Sequence, residues 1–158
     1  MMESQLNILS ESLDKKMEVL HAIQDYNVRQ EKIFLADKVD MAAFDAAVEE
    51  KGKLIDELTK LDDGFESLYG KLAEQLNGNR QLYAVQIREL QQKISKVMEL
   101  SVAVQTQEAR NKQLIENYFS KERKGLQQNR KTSTAAYNYY KRVSNRDYLP
   151  PQYMDSKQ

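Results

Sequence analysis

The chain predicts an all-α fold: an elongated antiparallel helical bundle of three long helices, followed by a weakly helical C-terminal segment. Three observations carry this. Apolar residues repeat in two heptad registers between Phe44 and Tyr118, no proline occurs before Pro150, and 158 residues contain only five glycines and two prolines. The first register places Phe44, Lys51, Leu58, Phe65 and Leu72 at a-like positions and Ala47, Leu54, Leu61 and Leu68 at d-like ones. The second runs Ile87, Ile94, Ser101, Glu108, Ile115 against Leu90, Val97, Val104, Asn111, Tyr118. Residues at that spacing form one narrow stripe along a helix, and the stripe must be buried against another helix.

The first helix is predicted from about Glu3 to Ala36, with Leu6, Leu9, Leu13, Met17, Leu20 and Ile23 on its inner face and Ile33 and Phe34 extending it. Asp37 to Asp40 reads as a corner, because the Asp40 carboxylate can cap the open amides of the next helix. The second helix is then expected to reach about Leu76. It carries Gly52, Gly64 and Gly70, each costing roughly 1 kcal/mol against alanine in a helix interior, a loss that packing must outweigh. Asn77-Gly78-Asn79 is the clearest turn signal. The third helix follows from about Arg80 to Lys124. At ~1.5 Å per residue, such helices are about 50–65 Å long. Residues 1–124 thus form a helical bundle and 125–158 a separate C-terminal segment with a proline-containing tail. Gly125 and the run Lys131 to Thr134 weaken helical order there, yet Leu126, Ala136, Tyr137, Tyr140 and Val143 keep an apolar face at helical spacing.

Composition narrows the function classes. With 41% hydrophobic and 30% charged residues, the chain suits a bundle with a solvated outer face rather than a disordered polymer. Cysteine is absent, which excludes disulfides, thiol catalysis and cysteine metal sites. The first twenty residues carry Glu3, Glu11, Asp14 and Glu18 and do not read as a signal peptide. No run of about 18 uncharged apolar residues occurs, so membrane insertion is not expected. The expected location is the cytosol. Net charge is zero but unevenly placed. Residues 1–109 hold 13 Lys and Arg against 20 Asp and Glu, a balance of −7, and residues 110–158 hold 11 against 4, a balance of +7. The basic end is interleaved with tyrosines, a pattern seen in single-strand nucleic-acid binders, but the acidic body argues against that partner.

Few constellations could carry chemistry. Glu18-Val-Leu-His21 has the Glu-x-x-His spacing of helical di-iron sites, which need two such motifs, and the chain has one histidine. The same lone histidine rules out the usual serine triad, and no glycine-rich phosphate loop occurs. No enzyme activity, metal or cofactor is expected. Ser101, Glu108 and Asn111 interrupt the third helix's stripe, and two readings stand: a polar layer fixing register or partner, or a face that outruns its partners and meets water. For Lys51 the expectation is a stem along the stripe with its ammonium in water.

Several stretches resemble the FlgN-type flagellar export chaperones, in particular clostridial-style members. They are Val48 to Leu58, Asp62 to Tyr69, Ile87 to Ile94, Ser101 to Lys112, and the ending Pro151-Gln-Tyr-Met-Asp-Ser-Lys157. The resemblance implies a long antiparallel bundle and a cytosolic chaperone. Such a protein holds hook–filament junction (hook-associated) proteins before export by gripping an amphipathic helix of the cargo with its C-terminal portion. A contact with the export apparatus is also implied. A sibling type serves the filament cap protein, so the cargo stays open at this point, as do a homodimer and a purely structural coiled-coil scaffold. Ile115, Tyr118, Phe119, Leu126, Tyr137, Tyr140 and Val143 share a helical face and are the expected partner-binding residues.

Overall fold

A computed structural model describes residues 2–121 and 138–143. Three helices, α1 (Met2–Leu35), α2 (Met41–Asn77) and α3 (Ala84–Lys121), make up the body, and a short helical turn at 138–143 lies against it. No strand occurs among the described residues, and none of their helices is long and apolar enough to cross a membrane. With 34, 37 and 38 residues the helices are each about 50–57 Å long at ~1.5 Å per residue.

The corners follow local chemistry. Asp40 takes an extended conformation (φ −90°, ψ 96°) and its Oδ1 accepts from the Ala43 amide at 3.1 Å, the cap expected from its type and place. Glycine does not interrupt α2, which stays helical through Gly52, Gly64 and Gly70. The second corner is longer than Asn77-Gly78-Asn79 suggests, and α3 begins at Ala84 rather than near Arg80. Amides of Asn79, Leu82, Tyr83 and Ala84 each bond to the carbonyl three residues earlier, so the chain winds as tight turns before the wider helix starts.

Helix α1 packs against both α2 and α3. It runs antiparallel to α2, with Lys16 paired to Asp62 and Gln30 to Lys51. It runs parallel to α3, with Asp14 beside Lys93 at 3.0 Å and Glu31 beside Arg110 at 3.7 Å. Leu6, Leu9, Leu20 and Ile23 of α1 meet Phe44, Leu58 and Leu72 of α2 and Leu90, Val97 and Val104 of α3 in one continuous core. Burying each such side chain contributes about 1.5–3 kcal/mol. On α2 the buried set is the a-like residues and d-like Ala47 together with Val48, Gly52, Ile55, Tyr69 and Leu76, while Leu54, Leu61 and Leu68 are only half-buried. The stripe widens because α2 faces α1 on one side and, near its start, the 138–143 turn on the other.

Candidate partner-binding surface

Beneath the 138–143 turn the bundle is polar. Lys51, Gln30, Glu108, Asn111 and Asn27 occupy heptad positions on the three helices and are all buried. Lys51 Nζ lies 2.8 Å from Glu108 Oε1 and donates to Gln30 Oε1 at 2.6 Å. Asn111 Nδ2 donates to the Asn27 carbonyl at 3.0 Å, and Asn27 Nδ2 to Gln107 Oε1 at 3.3 Å. Lys51 is wholly buried, so the expectation of a solvated ammonium is corrected. The stem cannot reach water because the 138–143 turn covers it, and an ion pair replaces hydration. Burial pushes the Lys51 ammonium down to about 8, against the opposite pull of the Glu108 carboxylate. Ser101, Glu108 and Asn111 are likewise inside, which settles their two readings in favour of a buried polar layer.

Tyr139 closes this layer from above. Its hydroxyl donates to Glu108 Oε1 at 2.7 Å, and Lys51 Nζ stands 4.2 Å from its ring centroid, within cation–π range. Three residues on, Arg142 Nη2 donates to the Gly52 carbonyl at 3.0 Å and to Asp56 Oδ1 at 2.5 Å. Gly52 gives the guanidinium room rather than a special backbone angle: a Cβ there would stand 2.9 Å from Arg142 Nη1, and the guanidinium would have to shift. A cleft of about 460 Å³ remains beside the turn, bordered by Asp45, Glu49 and Asp56.

A second feature lies where α1 ends, α2 begins and α3 ends. Phe34 meets Phe44 edge-on with centroids 5.0 Å apart, and Tyr118 at 5.5 Å. Tyr118 in turn meets Phe119 at 5.6 Å. These edge-to-face contacts fix an aromatic end on the bundle. Leu35, 65% exposed, stands next to Phe34 in the chain at this end.

Of the residues expected to bind a partner, Ile115 is buried in the core, whereas Tyr118 and Phe119 are half-buried at the aromatic end. Tyr140 and Val143 are half-buried against the core from the 138–143 turn. Leu126 and Tyr137 lie outside the described residues. The structure thus places the five described residues in two groups. Tyr139, Arg142, Gly52 and the pair Gln30 and Asn27 were not anticipated. A signal for the last two exists in the sequence: the spacing Leu6, Leu9, Leu13, Lys16, Leu20, Ile23, Asn27, Gln30 continues one heptad pattern along α1. His21 is exposed and bonds to Gln24 at 3.1 Å, and no group of three or more acidic or histidine residues able to hold a metal occurs among the described residues.

Long parallel and antiparallel helices, a polar layer capped by the chain's own tyrosine and an aromatic end define an elongated three-helix bundle. Residues 1–144 match the family model described as FlgN protein, and the chain belongs to the FlgN family of flagellar export chaperones. Comparison with curated proteins and with solved structures gives no match.

Proposed function

We propose that this FlgN-family chaperone works in the cytosol on hook–filament junction (hook-associated) proteins. It covers an amphipathic helical end of the cargo, blocks premature assembly and hands the subunit to the export apparatus. The observation that carries this reading is the aromatic end, where Phe34, Tyr118 and Phe119 come together at the ends of α1 and α3. Subunits that polymerise through amphipathic helices need those helices covered beforehand, and a helix-in-groove contact anchored by aromatic residues does so without covalent chemistry. Tyr118, Phe119, Tyr140 and Val143 supply accessible anchor surface, Ile115 supports them from below, and Leu126 and Tyr137 extend the same apolar spacing. The docked turn leaves when cargo arrives, at a cost set by the difference in affinity between the two states.

Capture with the full chain from cytosol, followed by mass spectrometry, tests the proposal. Recovery of junction subunits is the expected result. Recovery of the cap subunit instead reassigns the client, self-association alone points to a homodimeric scaffold, and salt-sensitive nucleic acid overturns the reading.

A further inference from the structure

Lys51 lies where the 138–143 turn meets the body, and its ammonium has three N–H groups to satisfy. It pairs with Glu108 Oε1 of α3 at 2.8 Å and donates to the neutral Gln30 Oε1 of α1 at 2.6 Å, while the Tyr139 ring of the turn stands 4.2 Å from the nitrogen. Glu108 is the charge that acts on it. The neighbouring charges are engaged elsewhere: Arg142 of the turn with Asp56, Glu50 of α2 with Lys53, and Glu31 of α1 with Arg110, while Lys141 of the turn is exposed. Lifting the turn would leave the Glu108 and Gln30 contacts in place, since the three long helices supply them, and would exchange the ring for water. An aromatic face attracts a cation but solvates it less well than water does. Docking thus disfavours the charged form of Lys51 relative to the neutral amine. Burial is also the largest influence on this group, holding it at about 8 against the pull of Glu108.

We propose that docking of the 138–143 turn is coupled to release of a proton from Lys51 to solvent, which makes the turn a pH-sensitive cover over the polar layer, held more firmly in alkaline solution and loosened toward neutral pH. The direction follows from linkage. A group that holds its proton less tightly in the docked state than in the undocked one strengthens docking as pH rises between its two midpoints. With Lys51 near 8 when covered and near its ordinary 10.5 when uncovered, docking changes little below pH 8 and then strengthens by up to about tenfold per pH unit. Tyr139 does not oppose this, because its hydroxyl donates to a carboxylate, which favours the neutral phenol. The other hold on the turn, the Arg142 guanidinium on Asp56 and the Gly52 carbonyl, keeps its charge throughout this range. The coupling invokes no flagellar subunit and stands whether or not the C-terminal portion grips cargo.

The test uses the full chain and two readouts. With carbon-13-labelled lysine, the Lys51 Cε resonance should titrate at least about one pH unit lower in the parent than in Tyr139→Ala, where the turn is released. Trypsin cleavage after Arg142, divided at each pH by cleavage of a free peptide of residues 134–147, reads the fraction of chains with the turn open. That ratio should fall at least about fivefold from about pH 7 to about pH 9 in the parent. In the variant carrying both Lys51→Met and Glu108→Met, whose layer holds neither charge, it should stay within about twofold over the same range. If Tyr139→Ala misfolds, the cleavage ratio decides alone. Equal Lys51 midpoints in the two folded chains, a ratio independent of pH in the parent, or a slope that survives in the double variant would each overturn the proposal.

Discussion

Replacing Lys51 and Glu108 by methionine, singly and together, probes the polar layer that lies under the 138–143 turn. Lys51 has no exposed surface and the Glu108 side chain only 5%, so either charge left alone would sit in the interior without its counter-ion. Removing one member of a buried pair costs about 3–5 kcal/mol. Removing both takes away the attraction but also the cost of holding two ions out of water. What remains lost is the acceptor of the Tyr139 hydroxyl and the donor to Gln30, each worth about 1 kcal/mol. The double variant should therefore lie within about 2 kcal/mol of the parent, and the coupling between the two sites should exceed about 3 kcal/mol. Urea unfolding followed by helical ellipticity measures all four corners of the cycle. Additive single effects below about 1 kcal/mol each would show that the pair is not buried, and the account of the layer would fail.

Three further outcomes follow from named contacts. Because burial lowers Lys51 from its ordinary 10.5 to about 8, the unfolded chain binds more protons than the folded one between those values. The folded state should thus gain stability as pH rises through that window, by about 3 kcal/mol in all, and the Lys51/Glu108 double variant should lack this component in parallel pH-dependent melts. Asp40→Ala removes the bond to the Ala43 amide and should cost about 1 kcal/mol in thermal unfolding, with no loss of helical content beyond the start of α2. Gly52→Ala should raise the stability of the body by up to about 1 kcal/mol through helix propensity. The Arg142 guanidinium can swing aside from the new methyl group, but its bond to the Gly52 carbonyl loosens, and trypsin should then cut faster at Lys141 and Arg142.

The body was legible because its signal is periodic. Every second-register residue from Ile87 to Ile115 is buried at the position that heptad counting assigns it, and the Asp40 cap follows from residue type and place alone. Lys51 misled because a lysine on a helix ordinarily snorkels, and its true environment depends on Tyr139, nearly ninety residues away in the chain. The polar run on α1 was missed for a related reason. Asn27 and Gln30 keep the heptad spacing but not the apolar type, so a count of hydrophobic residues stops at Ile23. The late start of α3 reflects bonds to the third preceding carbonyl through 79–84, a choice between two nearly equivalent windings that composition does not decide. The Gly52 notch has no local signature at all, since only the approach of Arg142 distinguishes it from Gly64 and Gly70, where a Cβ would meet nothing within 4 Å.

The proposal that the C-terminal portion grips cargo is tested most directly by titrating purified hook–filament junction subunit into the full chain and into a chain ending at Lys124. Helix α1 holds both α2 and α3 through apolar residues that the shortened chain keeps, so it should still melt cooperatively as a helical bundle, with a midpoint lowered by the exposure of Lys51 and Glu108. Its affinity for the subunit should fall by at least about a hundredfold, the loss of two anchor residues worth ~1.4 kcal/mol or more each. A folded, shortened chain that binds the subunit as tightly as the full chain would place the grip elsewhere and contradict the proposal.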